Sequence, residues 1–367
     1  MRFPGFTDEW KTYSLSNFFD FKNGLNPEAK RFGQGIKFIS VSDILNNDYI
    51  DYECIIASVT PSKKELEEFG VHRGDILFQR SSETLEDVGR ANVYIDDRIA
   101  LFGGFVIRGK KKSEYEPYFM RYALSAPLNR KKIIVKGAGA QHFNIGQAGL
   151  SKVLMNIPDT AEQTRISRLL CLIDKRINTQ NKIIDNLQSL IKGLAKALTH
   201  QGEANTRISD CLTCHTSTLQ EGALNQSGEF PVYGASGIAG FLDDYRCDED
   251  SILVIKDGSG AGTVSYATGE YSVIGTLNYL TAQPEYSLKY LYFCLMSFNF
   301  EPFKTGMAIP HIYFKDYGRA KIYCPSYSEQ MKIATFISAY ENKLHIEKSI
   351  LSNLILHKQY HLMNLFI

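Results

Sequence analysis

Two stretches of the chain repeat apolar residues at alternating steps of four and three. The first reads Ile166, Leu170, Ile173, Ile177, Gln180, Ile184, Leu187, Ile191, Leu194 and Leu198. The second reads Ile333, Ile337, Tyr340, Leu344, Glu347, Leu351, Leu354, Lys358, His361 and Leu365. This spacing is the a/d seam of a heptad repeat, and it predicts two long helices that pair along one stripe. Each seam carries a polar layer at the same place, Gln180 and Glu347, and the second seam weakens after Leu354. At 1.5 Å per residue, a helix of about 40 residues is roughly 60 Å long. The two helices are copies by position. Pro158, Glu162 and Gln163 recur 167 positions on as Pro325, Glu329 and Gln330, and Ile166, Ile183, Asn186 and Leu187 recur as Ile333, Ile350, Asn353 and Leu354. Two unrelated bundle helices would not keep one offset along their whole length. Proline is tolerated in the first turn of a helix, and a Glu there suits the positive end of the dipole.

Outside these stretches the pattern shortens to β-prone runs: residues 37–41, 75–78, 91–95 and 104–107 early in the chain, and 251–255, 263–266 and 276–280 later. Residues 116–124 and 287–296 predict short helices rich in aromatics. The expected fold class is α+β: two mixed α/β globular domains, separated and followed by two long helices that pair as a coiled coil. The boundaries fall at 1–157, 158–200, 201–324 and 325–367, with the polar, Gly-containing residues 199–205 as the turn out of the first helix. Both globular parts follow one order. A buried-type strand precedes a polar loop, then come further strands and the aromatic helix. Next is a Gly-containing loop with a His (His142 or His311), and a last strand leads to the proline.

Composition narrows the class. With 44% hydrophobic and 22% charged residues in 367, the chain reads as globular, of two or three domains at about 150 residues each, and not as disordered. Asp8 and Glu9 stand where a signal peptide would need an apolar run, and the most apolar stretch, residues 288–303, is broken by Lys289, Asn299 and Glu301. Seven cysteines, an odd number, then point to reduced thiols in a cytoplasmic protein.

Candidate chemistry is sparse. Cys211, Cys214 and His215 have the CxxCH spacing of covalent haem attachment, or half of a zinc site. Cys247 has no second ligand near it, so buried thiols beside a chance His is the plainer reading. Residues 104–111 approach a P-loop, but Lys111 replaces the Mg-binding hydroxyl, so a strand ending in a basic loop is expected. Residues 258–262 (GSGAG) lie between predicted strands with no helix to follow. Lys256, Asp257, Gly258 and Ser259 therefore read as a strand-end loop able to approach a ligand, or as a plain hairpin turn. No metalloprotease, serine hydrolase or amino-methyltransferase motif occurs.

Taken together, the order of parts resembles the specificity subunit of type I restriction–modification systems. The resemblance rests on the opening Arg2-Phe-Pro-Gly-Phe-Thr-Asp-Glu-Trp10, on two variable domains with two matched helices, on the Pro-x-x-x-Glu-Gln starts, and on the Lys256 to Ser259 loop. The first domain's counterpart of that loop, Gln79-Arg80-Ser81-Ser82-Glu83, lacks the glycine. The resemblance implies a non-catalytic, DNA-binding subunit in which each globular domain is a target recognition domain for half of a bipartite duplex sequence. The helices, pairing as an antiparallel coiled coil, would set the spacing and dock methyltransferase subunits, usually two, and through them a restriction/translocase subunit. S-adenosylmethionine, ATP and Mg would be bound by those partners, with no cofactor, metal or membrane contact on this chain.

Side chains able to contact DNA on the candidate loops are Arg80, Ser81, Arg90, Lys136, Gln141 and His142 in the first domain. In the second they are Tyr233, Ser236, Lys256, Ser259, Lys304 and His311. The docking helices are marked by Ile166, Ile173, Ile177, Ile184, Leu187, Ile333, Tyr340, Leu344, Leu351 and Leu354. A coiled-coil scaffold with two protein-binding domains is the alternative left open.

Charge sharpens the picture. The 41 basic and 40 acidic residues nearly cancel, which argues against a generally basic nucleic-acid binder, but the sum hides a division. Residues 201–324 carry 8 basic and 14 acidic side chains, with acids clustered at Asp243, Asp244, Asp248, Glu249 and Asp250. That cluster is expected to face away from DNA, and Lys256 and Lys304 toward it.

Overall fold

A computed structural model describes residues 2–139, 141–306 and 308–366. The chain divides into two compact units, Met1–Gln180 with Ile350–Ile367, and Asn181–Ser349. Each globular domain therefore takes half of each long helix into its own unit. The helices run over Thr160–Thr199 and Tyr327–Asn364, two residues inside the prolines that precede them.

In the first unit, β1 (Lys11–Ser14), β2 (Phe19–Asn23), β3 (Phe32–Ile39), β4 (Ser58–Val59), β5 (Ile76–Gln79), β6 (Ser81–Ser82), β7 (Ala91–Val93), β8 (Leu101–Phe102), β9 (Val106–Lys111), β10 (Phe143–Asn144) and β11 (Leu154–Ile157) form small sheets. Their orders are β2-β9-β5-β7, β4-β3-β8, β1-β11 and β10-β6. In the second unit, β12 (Thr206–Arg207), β13 (Leu212–Thr216), β14 (Phe230–Gly234), β15 (Gly237–Leu242), β16 (Ser251–Ile255), β17 (Val264–Ala267), β18 (Ser272–Val273), β19 (Leu277–Ala282) and β20 (Lys321–Ile322) give β13-β19-β16-β17, β15-β14-β18 and β12-β20. Apart from β6-β10, which the second unit reduces to the single bridge of Asp257 to His311, the orders and senses match strand for strand, including one parallel pair in each, β3 with β8 and β14 with β18. β5 and β16 sit inside the four-stranded sheets with both faces covered, so they read as unbroken apolar runs, ILFQ and SILVI, with every residue buried.

Two local expectations differ from the structure. Residues 40–41 do not extend β3. Ser40 and Asp43 form a reciprocal cap, with Ser40 N donating to Asp43 Oδ2 at 2.7 Å, and a helix starts at Val41. Residues 109–111 are not a basic turn but the end of β9, paired to β2. Arg108 is buried there, with its guanidinium donating to the Gly70 carbonyl and lying over the Phe102 ring. Burial pulls its pKa down against the opposing pull of Asp75. The P-loop resemblance has no structural counterpart.

The Pro-x-x-x-Glu-Gln starts have a physical function. Gln163 is buried: Nε2 donates to the Pro158 carbonyl and Oε1 accepts from Glu116 N, both at 2.9 Å. Gln330 does the same with the Pro325 carbonyl and Ser287 N, again at 2.9 Å. Glu116 and Ser287 are the N-caps of the aromatic helices Pro117–Ser125 and Leu288–Met296. One side chain thus fastens each long helix to the short helix of its domain. The preceding glutamates differ. Glu162 is buried and receives Arg2 in a two-point grip and the Trp10 indole N–H at 3.0 Å, whereas Glu329 bonds to its own cap residue, Ser326.

Within the first unit, Lys358 reaches Asp174 at 2.6 Å, and Leu365 and Phe366 join the core cluster holding Ile166 and Leu170. The two helices run in opposite directions there. Asp174 also accepts from the Tyr122 hydroxyl at 2.6 Å, which holds the Tyr122 proton more tightly than burial alone would. In the second unit, Ile191 and Ala195 share a cluster with Ala334 and Ile337. No described helix is long and apolar enough to cross a membrane.

Replacing either glutamine with alanine leaves a buried N–H and a buried carbonyl without partners. Gln163→Ala and Gln330→Ala should each lower stability by about 1–3 kcal/mol, seen as an earlier urea transition followed by tyrosine fluorescence. Glutamate at either place should do no better, because it offers no donor to the proline carbonyl. An unchanged midpoint in both alanine variants would refute the fastening role.

Candidate nucleic-acid interface

Four of the residues proposed from sequence, Arg80, Ser81, Lys256 and His311, lie at one end of the four-stranded sheet of their domain. In the first domain Arg80 directly follows β5. Its N–H donates to the Phe105 carbonyl and its own carbonyl accepts from Ile145 N. β6 then pairs with β10, Ser81 opposite Asn144. In the second domain Lys256 directly follows β16. Its N–H donates to the Thr276 carbonyl and its carbonyl accepts from Ile312 N. Asp257 then bridges to His311. Backbone hydrogen bonds therefore equate Arg80 with Lys256, Ser81 with Asp257 and Asn144 with His311. The strand-end loops expected to correspond do so, even without the glycine.

The two return loops correspond as well, with one correction. The bridge of Ala138 to Asn144 matches that of Thr305 to His311, and Gly139 and Gly306 both have positive φ, 146° and 89°. These pairs keep the 167-residue offset of the helices. His142 is therefore not the counterpart of His311; Asn144 is. The shared histidine misaligned the loops by two residues, and the helix offset carried back to position 144 was the signal that would have placed them.

The other candidates scatter more. Gln141 and His142 are exposed on the return loop, and Lys136 is exposed just beyond the helix Pro127–Ile134. Arg90 lies beside Arg80, since Gln79 N donates to its carbonyl, but its guanidinium is held by Asp87 at 2.7 Å. Ser259 and Lys304 border one open cavity of about 280 Å³, and Lys304 is ion-paired with Glu301 at 2.5 Å. Tyr233 is half-buried with its ring edge against Tyr271, and Ser236 is exposed at the β14–β15 hairpin tip. Tyr233 lies across the segment 274–276 from Lys256, its carbonyl accepting from Ile274 N while Lys256 N donates to the Thr276 carbonyl. In the first domain a cavity of about 470 Å³ opens beside Ser81, bordered by Asn26, Phe38, Ser40 and Phe105. Sequence reasoning passed over three large apolar residues exposed on these loops, Phe105, Ile238 and Ile309, because it looked for polar side chains.

The acidic cluster occupies the other end of the second domain's sheet. Asp250 precedes β16 and Lys256 follows it, about 20 Å away at 3.3 Å per residue. The acids are thus separated from the basic loop by the length of a central strand.

The CxxCH residues do not converge. Cys214 and His215 are neighbours on β13 and point to opposite faces. The His215 ring stacks on Tyr279 at 4.8 Å and its Nε2 meets the Thr281 hydroxyl at 3.0 Å, while burial pushes the Cys214 thiol up to about 11. Cys211 Sγ lies 3.8 Å from Cys324 Sγ. Holding its S–H on that partner raises its pKa, and the same bond lowers that of Cys324. Among the described residues, no group of three or more His, Cys, Asp or Glu is placed to hold a metal ion.

Of the seam residues, Ile166, Ile184 and Leu187 are buried, and Ile173, Ile177, Ile333, Tyr340, Leu344, Leu351 and Leu354 are half-buried. The large apolar side chains that the long helices leave most exposed are off the seam and include Leu172, Phe336, Ile346 and Leu356.

Fold and loops together define a duplicated α+β protein with two like-built, differently surfaced loop ends on domains joined to long helices. A family model for the type I restriction modification DNA specificity domain matches residues 7–189 and 206–355, and the chain belongs to that family. A putative type I restriction enzyme MjaX specificity subunit of Methanocaldococcus jannaschii is 26% identical over 200 residues, 53% of this chain and 46% of that protein. The putative specificity subunit S.HindORF215P of Haemophilus influenzae is 25% identical over 120 residues, 32% of this chain and 31% of that one. The chain thus matches less than half the length of these curated relatives. The type I restriction–modification S subunit from M. genitalium shares the fold with a TM-score of 0.63 at 18% identity, over 98% of this chain and 96% of that chain. A chain from the structural basis of complex assembly and conformational transition of the type I R-M system gives 0.61 at 12%, over 97% of each.

The return-loop glycines test the loop geometry. A Cβ at Gly139 or Gly306 would collide with the carbonyl of His142 or Ile309. Gly139→Ala and Gly306→Ala should cost about 1–3 kcal/mol and speed amide exchange at Asn144 and His311 respectively, with exchange in the long helices unchanged. Equal exchange at those amides would show that the bridges do not depend on the glycines.

Proposed function

We propose that this chain is the DNA-reading, non-catalytic subunit of a type I restriction–modification complex, and that each globular domain recognises one half of a bipartite duplex target. The observation that carries this reading is the repeated pair of loops at the sheet end. One backbone plan presents different side chains in the two domains: Arg80, Ser81 and Asn144 against Lys256, Asp257 and His311. A duplicated scaffold with unlike loops suits an asymmetric two-part site, since each domain can hold its own base-edge contacts. Segregation of the acids from Lys256 favours approach of a polyanion at the loop end.

In this reading the paired helices set the distance between half-sites and dock methyltransferase subunits, two in number, and through them a restriction/translocase subunit. The outward residues Leu172, Phe336, Ile346 and Leu356, together with the half-buried seam positions, would meet those partners. S-adenosylmethionine, ATP and Mg would be held by the partners, and the assembly would work in the cytoplasm on adenine N6.

Long-read methylation sequencing of cells carrying this chain and its host methyltransferase subunit should show one bipartite motif with a fixed spacer. Deleting the chain should erase it. Absence of any such motif with both proteins present would refute the reading. Lys256→Ala should weaken duplex binding by the assembled complex and reduce the salt slope by about one counterion, measured by titration across salt concentrations; an unchanged slope would remove Lys256 from the phosphate contacts.

A further inference from the structure

In each globular domain one side-chain hydrogen bond joins the strand-end loop to the return loop, and it does so at matching positions. In the first, the Ser81 hydroxyl donates to Asn144 Oδ1. In the second, His311 Nδ1 lies 2.7 Å from Asp257 Oδ1. Both residue types differ between the domains, yet the bond is kept. The backbone does not need it. Asn144 already exchanges two hydrogen bonds with Ala138, and His311 exchanges two with Thr305. What the side-chain bond adds is a fixed orientation for the polar group on the return loop.

That group still has bonding capacity. Asn144 is exposed; Oδ1 keeps a second lone pair, and Nδ2 makes only a long contact of 3.4 Å to the His142 carbonyl. Among the described residues no hydrogen bond occupies His311 Nε2, and the ring is 37% exposed. The strand-end loop is itself braced in the first domain, where Gln79 Nε2 donates to the Ser81 carbonyl at 2.9 Å.

Resting on the DNA-reading function above, we propose that Asn144 and His311 are base-reading residues of the two half-sites, and that Ser81 and Asp257 are positioning residues that clasp them in place. The planar amide of Asn144 offers an acceptor and a donor side by side. These match the N6 amine and N7 of adenine in the major groove. Asn144 therefore reads an adenine. His311 reads through Nε2, because Nδ1 is occupied by Asp257. Clasping removes rotamer freedom before DNA arrives, so less is lost on binding.

The test is methylome mapping of full-length variants co-expressed with the host methyltransferase subunit. Asn144→Ala should relax one adenine position in one half-site by about tenfold or more and leave the other half-site strict. Asn144→Asp, which keeps an acceptor for Ser81 but puts a carboxylate oxygen against N7, should lose the adenine preference too. Ser81→Ala should relax the same position less, and Ser81→Thr should restore it. His311→Ala should relax a position in the other half-site alone. An unchanged motif in Asn144→Ala overturns the proposal, as does relaxation at a position that is not adenine, or even weakening at every position. Complete loss of methylation in both Asn144 variants also counts against it, because one base contact carries only part of the affinity. A wild-type chain that directs methylation to no bipartite motif defeats the DNA-reading function instead, and is told apart by the wild-type arm.

Discussion

Everything in this chain hangs from a buried glutamine at the root of each long helix. A helix start leaves backbone donors unpaired, and a proline just before it offers a carbonyl that must also be satisfied. Gln163 and Gln330 answer both needs, and each reaches a cap residue of the aromatic helix in its globular domain. The amide donates from one atom and accepts at another, so a single side chain serves both partners. Because it is buried, the bond is costly to leave unmade, and the domain cannot turn on its helix without breaking it. Sheets, loops and candidate contacts inherit their placement from that joint.

The two joints also show how duplication has been used. Strand order, strand sense and the loop-bridging hydrogen bonds are common to both domains, while the residues at the loop end are not. Backbone pairing is indifferent to side-chain identity, so a loop can change what it presents without changing where it presents it. The first domain has an addition the second lacks: Glu162 grips Arg2 and Trp10, whereas Glu329 turns inward to Ser326. The opening residues of the chain and the start of the first helix, noticed separately as sequence features, are two sides of one contact.

How far the sequence could be read follows from this. The helices were legible because their seam repeats over many turns and their copies share an offset. The central strands β5 and β16 were legible as short apolar runs, and the aromatic helices by their spacing. The β14–β15 hairpin was not, since Gly234 to Gly240 offers little apolar alternation, and residues 40–41 were misjudged because a cap outweighed β-propensity. At the candidate interface Arg80, Ser81, Lys256 and His311 were singled out from loop chemistry. Asn144 and Asp257 were not, because their role lies in a cross-loop bond between residues far apart in sequence. Periodicity shows which face of each long helix is apolar but not how much of it the chain itself covers: Ile166, Ile184 and Leu187 are buried, whereas Ile173, Ile177, Ile333, Tyr340, Leu344, Leu351 and Leu354 are half-buried.

The contact of Leu365 and Phe366 with the first unit's core has a consequence for how the protein is made. Phe366 lies against Trp10 and Phe119, with ring centroids 6.3 and 5.4 Å apart. A ribosome delivers Trp10 early and Phe366 only after the whole second domain has emerged. The first core is therefore completed by residues synthesised after the second core. In time, the second domain is the first that can finish folding, and the amino-terminal domain waits with part of its apolar surface open until the carboxy-terminal end of the second long helix closes it.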